Sequence, residues 1–469
     1  MIIIKELFAD LHFLGLFSAL AAFVISTRFY LYPVIINISK VKGLMDAPGE
    51  RKMHTTQIPT LGGLGVFIAF SLSIIVFGLV SNLIQPDLIK LLALIGSTII
   101  LLFLGIKDDL VSMSPKKKFL GQLIAVMNVV VLTDVRILSF EGLLGVGELP
   151  YLMSILFSIF VFILVVNALN LIDGIDGLAG SIAVISSISF GILFLLNGNY
   201  MMTLISAILV GSLTGFLRYN LSSKQKIFMG DCGSMLTGFL LAYQGISFLT
   251  LNGAATSSNI ITNAPIVLLA ILSYPLFDLL RVFAIRIKQR RSPFSADSNH
   301  IHHRLLRLGL GHKKATLLLC ICNTFVIGFT FLLTDFNIHI QLLITVLTGS
   351  FLYLLPFLKV FEAKINLNVA HKEVETAPIT SQKFASNNTF DFDFKPISFF
   401  QKGKKTEKGK GITLPVDYIM NMDVVIEPEE TITLKPQKKH QKSQDDDAIM
   451  KKRVMDNRSS ALKKLIHKD

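Results

Sequence analysis

Hydrophobic positions in this chain come in long unbroken blocks, not in strict alternation and not in a one-sided stripe. About eleven blocks are each long enough to cross roughly 30 Å of hydrocarbon as a helix. They lie near 11–33, 61–84, 88–106, 118–136, 151–171, 177–196, 201–220, 233–251, 264–284, 313–334 and 338–358. The pattern predicts an all-α integral membrane protein. The connections differ in kind. Those after odd-numbered blocks carry Lys40, Lys42, Arg51, Lys52, Lys107, Lys116–Lys118, Arg218, Lys224, Lys226 and the basic residues between Arg281 and Lys314. Those after even-numbered blocks hold little beyond Lys90 and Arg136. Because basic loops stay in the cytoplasm, this asymmetry predicts the N-terminus outside and the C-terminus inside. An error of one block would scramble it.

The first block is read as a span and not as a cleavable leader, since it exceeds the usual apolar core of a signal peptide and lacks a basic start. Outer connections are short except 134–150, where Glu141-Gly142 and Gly147-Glu148 predict a small hairpin. Past residue 358 the chain turns polar. The expected division is therefore a membrane domain, 1–358, and a mostly disordered cytoplasmic tail, 359–469, with a strand or two within Asp417–Leu434.

Composition agrees with this division. The 469 residues are 52% apolar and 16% charged, with a mean hydropathy of +0.61, whereas a soluble chain would carry roughly a quarter charged residues. The net charge of +13 reflects loops facing anionic lipid and not nucleic acid. Cys232, Cys320 and Cys322 make neither a disulfide framework nor a metal spacing.

Carboxylates then change the picture. Asp108-Asp109 follows the third block, Asn167-Ala-Leu-Asn170-Leu-Ile-Asp173-Gly-Ile-Asp176-Gly177 closes the fifth, and Gly230-Asp231-Cys232-Gly233-Ser234 opens the eighth. The orientation puts all of them at one membrane face. Acidic groups beside hydrocarbon are costly, and several together call for a divalent cation and a phosphorylated substrate. A spacing of three drifts around a helix, so the chain is expected to leave the helix near Leu171, with Gly174 and Gly177 turning both carboxylates toward one ligand. Asp231 and Ser234 suit either a phosphate at a helix N-terminus or a plain N-cap. His300-Ile301-His302-His303-Arg304 offers donors to a phosphate, uracil or leaving oxygen, with zinc as the alternative. Asp278 has Arg281 three residues on, which predicts a structural ion pair. Arg51-Lys52-Met53-His54 lies in the first cytoplasmic connection.

These motifs, in this order and on this side, resemble the polyprenyl-phosphate N-acetylhexosamine-1-phosphate transferases, over about residues 40–310 and in span layout to about 358. Arg51-Lys52-Met53-His54, Asp297 and His300–Arg304 look like the bacterial GlcNAc-1-phosphate (WecA/TagO-like) branch. The phospho-MurNAc-pentapeptide branch usually shows three consecutive histidines, which Ile301 interrupts here. The resemblance implies a Mg²⁺-dependent enzyme (Mn²⁺ being the other candidate) of the bacterial inner membrane, with its active site facing the cytoplasm. Such an enzyme moves a sugar-1-phosphate from a UDP-N-acetylhexosamine to undecaprenyl phosphate and releases UMP. By position, Asp231 and Asp173 would hold metal, with Asp108, Asp109 and Asp231 catalytic. Lys52, His54, Asn170, Asp173, Asp176, His300, His302, His303 and Arg304 would bind substrate. Self-association into a homodimer stays open. Since a phosphate monoester is largely dianionic at neutral pH, direct in-line displacement is expected over an aspartyl-phosphate intermediate. The rivals are the pentapeptide transferase, a secondary transporter, which would place its carboxylates near the bilayer midplane, and a membrane anchor acting through the tail.

Overall fold

A computed structural model describes residues 11–27, 31–46, 57–81, 83–253, 261, 263–292, 299–358, 422–426 and 432–436. In chain order these form α1 (Leu11–Thr27), α2 (Leu31–Lys42), β1 (Met45–Asp46), β2 (Ile58–Pro59), α3 (Gly62–Val80), α4 (Gln85–Leu110) and α5 (Pro115–Thr133). There follow α6 (Tyr151–Ile172), α7 (Leu178–Leu196), α8 (Tyr200–Asn220), α9 (Gly230–Gly253), α10 (Ala264–Ile271), α11 (Ser273–Lys288), α12 (Ile301–Arg307), α13 (His312–Phe331) and α14 (Ile338–Leu354). Residues 1–378 form one compact unit and 379–469 another. In the second unit, β3 (Met422–Ile426) pairs antiparallel with β4 (Ile432–Pro436), within and just beyond the segment expected to form strands. The expected disorder of the tail lies outside the described residues.

Among the described residues eight helices, α3, α4, α6, α7, α8, α9, α13 and α14, are long and apolar enough to cross a membrane. The expected ninth span differs from a plain helix: α10 and α11 meet at an angle of 76°. Pro275 explains the break, because it has no N–H to give to Ile271 four residues back. The freed carbonyl of Ile271 accepts instead from Asn323 Nδ2 at 3.3 Å and from Ser186 Oγ at 3.2 Å. Asn323 Oδ1 in turn accepts from Tyr274 N at 3.2 Å and Ser273 Oγ at 3.0 Å. Backbone groups in hydrocarbon must find partners inside the protein, and one asparagine of α13 supplies three of these contacts. The two remaining expected spans correspond to α1, with 17 residues, and α5, whose first turn carries Lys116, Lys117 and Lys118. The block expected at 11–33 does not run unbroken; α1 ends at Thr27 and α2 begins at Leu31.

Helix α9 is the axis of the bundle, with every residue from Cys232 to Leu249 buried. It packs against α3, α4, α6, α7 and α10. Its small residues allow this closeness. A Cβ on Gly63 would lie 2.1 Å from Gly233 N, and one on Gly105 would lie 2.2 Å from Cys232 Cα. The start of α3 and the end of α4 therefore touch the first turn of α9 backbone to backbone. Phe228 O and Met229 O, just before α9, accept from Gly62 N and Gly63 N at 2.9 and 2.8 Å. The outward faces carry exposed Leu79, Phe103, Leu317 and Phe351, as a lipid-facing surface requires.

The opposite end of α9 meets the 134–150 connection. There the expected hairpin forms around the Ser139–Glu148 bridge. Asn252 Nδ2 donates to Glu141 Oε1 at 2.7 Å and holds it to the bundle.

Gly105→Ala should lower the thermal unfolding midpoint in detergent strongly, since overpacking against backbone costs about 1–3 kcal/mol or more. Gly328→Ala, where nothing lies within 4 Å of the added methyl, should leave the midpoint unchanged or raise it, the helix gaining up to about 1 kcal/mol. Equal midpoints for the two variants would contradict the packing described.

Candidate active site

The end of the bundle where α4, α6 and α8 finish and α5 and α9 begin gathers the expected motifs. Asp109, in the last turn of α4, reaches across to the first turn of α9. Its Oδ1 accepts from Asp231 N at 2.7 Å and its Oδ2 from Cys232 N at 3.2 Å. The unpaired amides of a helix start attract an anion, so Asp109 caps α9 from another helix. The expected capping by Asp231 or Ser234 is replaced by this arrangement.

Asp108 faces the cavity side. Its Oδ1 accepts from Met113 N at 2.6 Å, and Lys118 Nζ lies 3.0 Å from its Oδ2 and 3.1 Å from Asp231 Oδ1. Asn170 Nδ2 donates to Ser234 Oγ at 2.8 Å and to Asp231 Oδ1. One ammonium thus sits between carboxylates from α4 and α9. Lys118 was not among the expected site residues, since nothing near it in the sequence marks it apart from Lys116 and Lys117.

The loop after α6 follows the expected course, with α6 ending at Ile172 and Gly177 at φ +78°. Gly177 N donates to Asn220 Oδ1 at 2.5 Å, and Asn220 Nδ2 donates to Ile227 O at 2.9 Å. Asp176 is tied down by Lys226 Nζ at 2.6 Å and His312 Nδ1 at 2.9 Å, while Thr316 Oγ1 donates to its carbonyl at 2.9 Å. Burial alone would raise the Asp176 carboxyl, but the bonds from His312 and Lys226 hold it below its ordinary range. Asp173 is the opposite case. Among the described residues it forms no hydrogen bond or ion pair. Burial first, then the charges of Asp231, Asp109 and Asp176, push its carboxyl well above the ordinary range. Lys226, His312 and Asn220 escaped the sequence reading because nothing local marks them.

The histidine segment lies against α11. Asp278, fully buried, does not form the expected ion pair with Arg281. Its Oδ2 lies 2.9 Å from His300 Nδ1 and its Oδ1 accepts from Ile301 N at 2.9 Å. Arg281 Nη1 instead donates to Asn299 O at 2.6 Å, and its guanidinium lies 3.9 Å from the centre of the Phe357 ring. Tertiary contact has overruled the helical spacing. His302 is fully buried with neither ring nitrogen partnered. Its ring centre is 4.3 Å from that of His303. Burial, followed by His303, His300 and His312, lowers its pKa well below the usual value, so the imidazole is neutral. A Cβ on Gly174 would lie 2.3 Å from His302 Nε2, so the glycine makes room for the ring. Arg304 turns elsewhere, donating to Pro356 O at 3.2 Å and facing Phe357, and it lines neither cavity described next. Lys52, His54 and Asp297 lie outside the described residues.

Two cavities meet here. One of about 590 Å³ has walls of Phe119, Phe160, Ile163, Leu164, Leu279 and Phe283, and is also lined by Lys118, Arg286, His300 and His302. Phe119 and Phe160 are also exposed on the lipid-facing surface. The other, of about 870 Å³, is the more polar of the two and includes Asp109, Asp176, Asn220, Lys226, Asp231 and His312. Asp108, Asn170, Asp173, Gly174 and His303 line both.

No three His, Cys, Asp or Glu side chains among the described residues are already gathered as a metal cage. The donor set still fits a hard cation that uses one or two carboxylates and fills its other positions with phosphate oxygens and water. Among the described residues Asp173 has no counter-charge, and the charges of Asp231, Asp109 and Asp176 repel it.

Residues 91–249 match the model of the family described as "Glycosyl transferase family 4". The chain is 30% identical over 316 residues to a "Probable undecaprenyl-phosphate N-acetylglucosaminyl 1-phosphate transferase" of Bacillus subtilis, covering 66% of this chain and 82% of the relative. It is 33% identical over 294 residues to a decaprenyl-phosphate N-acetylglucosaminephosphotransferase of Mycobacterium leprae, covering 58% and 72%. It is 32% identical over 283 residues to an undecaprenyl-phosphate alpha-N-acetylglucosaminyl 1-phosphate transferase of Haemophilus influenzae, covering 59% and 76%. A site built from paired carboxylates where an apolar and a more polar cavity join, carried on apolar helices with these relatives, places the chain in glycosyl transferase family 4, among its polyprenyl-phosphate N-acetylglucosaminyl 1-phosphate transferases.

Proposed function

We propose that the protein transfers N-acetylglucosamine 1-phosphate from UDP-N-acetylglucosamine to undecaprenyl phosphate, releasing UMP, at the cytoplasmic face of a bacterial inner membrane. The observation that carries this is the shared wall of the two cavities. The 590 Å³ cavity, apolar and reaching the lipid-facing surface, suits a polyprenyl chain with its phosphate at Lys118. The 870 Å³ cavity, the more polar and lined by Asp176, Lys226 and Asn220, suits a nucleotide sugar. Their common residues Asp108, Asn170, Asp173 and His303 mark where the two phosphates would meet. Eleven crossings, with the basic connections inside, complete the reading.

The acceptor needs little help losing a proton, because a phosphate monoester has its second pKa near about 6. The difficulty is repulsion between two anions. Lys118 supplies one positive charge beside Asp108, and Arg286 supplies another in the lining of the apolar cavity. Asp173 and Asp231 would hold Mg²⁺, which when bound offsets phosphate charge and orients the oxygens of the transfer. An oxygen of the lipid phosphate attacks the sugar-bearing phosphorus of the donor. A new P–O bond forms as the bond to the UMP oxygen breaks, in one in-line displacement. Asp108 positions Lys118; Asp109 fixes the start of α9 and hence Asp231. Neither needs to act as a base.

With purified protein, Mg²⁺ and undecaprenyl phosphate, UMP should appear with UDP-N-acetylglucosamine and not with UDP-MurNAc-pentapeptide; the reverse preference would overturn the branch. Asp231→Asn should lower turnover by at least about 1000-fold while keeping the thermal midpoint, and full activity would contradict the assignment. Lys226→Met should destabilise the protein by about 1 kcal/mol at neutral pH. A lowered carboxyl stabilises the fold above its unfolded pKa, and that contribution is lost as pH falls through the folded value. The difference between wild type and Lys226→Met in thermal midpoint should therefore shrink steadily in acid, and a constant difference would refute the Asp176 pairing.

A further inference from the structure

The mechanism above leaves one buried acid unused. Asp278 belongs to α11, is fully buried, and commits both oxygens to one short segment: Oδ2 to His300 Nδ1 at 2.9 Å and Oδ1 to Ile301 N at 2.9 Å. Three residues on, Arg281 holds the carbonyl of Asn299 at 2.6 Å, so the same helix grips the segment at consecutive residues. His300 is almost wholly buried yet lines the 590 Å³ cavity. With Nδ1 turned to Asp278, the ring nitrogen left for a ligand is Nε2.

We propose that Asp278 is a positioning residue for the transfer reaction: it fixes the tautomer and the aim of His300, which gives Nε2 to a phosphate oxygen of the substrate. The inference rests on the transferase reading of the site. A carboxylate behind Nδ1 makes that nitrogen the protonated one in either charge state of the ring. Nε2 then donates only when the ring is cationic, and the carboxylate behind it stabilises that cation as phosphate arrives. His302, stacked 5.5 Å away, cannot take this part, because no carboxylate backs it and its burial keeps it neutral. The other ionisable groups lining the cavity with His300 are His303 on its own segment, Arg286 on α11, Asp173 on the loop after α6, and Asp108 and Lys118 across the cavity.

Asp278→Asn isolates the effect. The amide oxygen can keep Ile301 N while its NH₂ group turns toward His300 Nδ1, which reverses the tautomer of the neutral ring and removes the charge that favours the cation. UMP release by the full chain in detergent should fall about 10–100-fold in kcat/KM. The alkaline limb of its pH profile should flatten, because with Nδ1 accepting from the amide the neutral ring already carries a proton on Nε2. The double variant Asp278→Asn, His300→Gln should be no slower than His300→Gln alone, since Asp278 acts through the ring. Losses that add, or an alkaline limb that does not flatten, would reduce Asp278 to a structural brace and overturn the proposal. If Asp278→Asn does not fold, His300→Gln, which leaves the Asp278–Ile301 bond intact, carries the test: it must fold, lose the same 10–100-fold and lack the limb, and wild-type turnover would overturn the proposal. Wild-type protein that releases no UMP sinks the transferase reading and this inference with it. Active wild type with a fully active Asp278→Asn sinks this inference alone.

Discussion

The bond from Asp109 to the exposed amides of α9 is the constraint on which the site depends. A helix that begins packed against its neighbours leaves N–H groups that need partners, and Asp109 satisfies two of them from α4. That bond needs the helices in backbone contact, which Gly63, Gly105 and Gly233 permit. Once the end of α4 is locked to the start of α9, Asp108 and Asp231 are near enough to share Lys118. Asn170 then ties the end of α6 to the same carboxylate. Packing at three glycines thus becomes electrostatics at the membrane face.

The charge balance follows from that geometry. Lys118 serves Asp108 and Asp231, and Lys226 with His312 serves Asp176. Among the described residues Asp173 has no hydrogen bond or ion pair and lies in the field of other carboxylates. Keeping a carboxylate so placed is costly in a folded protein, and the cost is understandable where a divalent cation and anionic substrates arrive together. The two cavities share this carboxylate, together with Asp108, Asn170, Gly174 and His303.

Much of this could be read from the residues alone. Long apolar blocks gave the helical membrane fold, and the spacing of Asn170, Asp173, Gly174, Asp176 and Gly177 gave a helix end and a turn, as found. Gly230 and Asp231 do open a helix. What could not be read were pairings across distance. Asp278 has an arginine one helical turn away, yet His300 and Ile301 reach it from another segment. His312 meets Asp176 although the two are far apart in the chain, and periodicity says nothing of that. Pro275 in the ninth block was a legible warning of the bend, and Asn323, a polar residue inside an apolar block, was a legible sign of its repair. The contacts of Arg304 with Pro356 and Phe357 likewise come from a segment far along the chain.

The account stands on carboxylates from distant segments forming one cation site, and binding of Mn²⁺ followed by electron paramagnetic resonance tests it most directly. In the presence of UDP-N-acetylglucosamine, purified wild-type protein should bind a single tight Mn²⁺ that is lost in both Asp173→Asn and Asp231→Asn. Undiminished Mn²⁺ binding in either variant, or no tight site in the wild type, would contradict it.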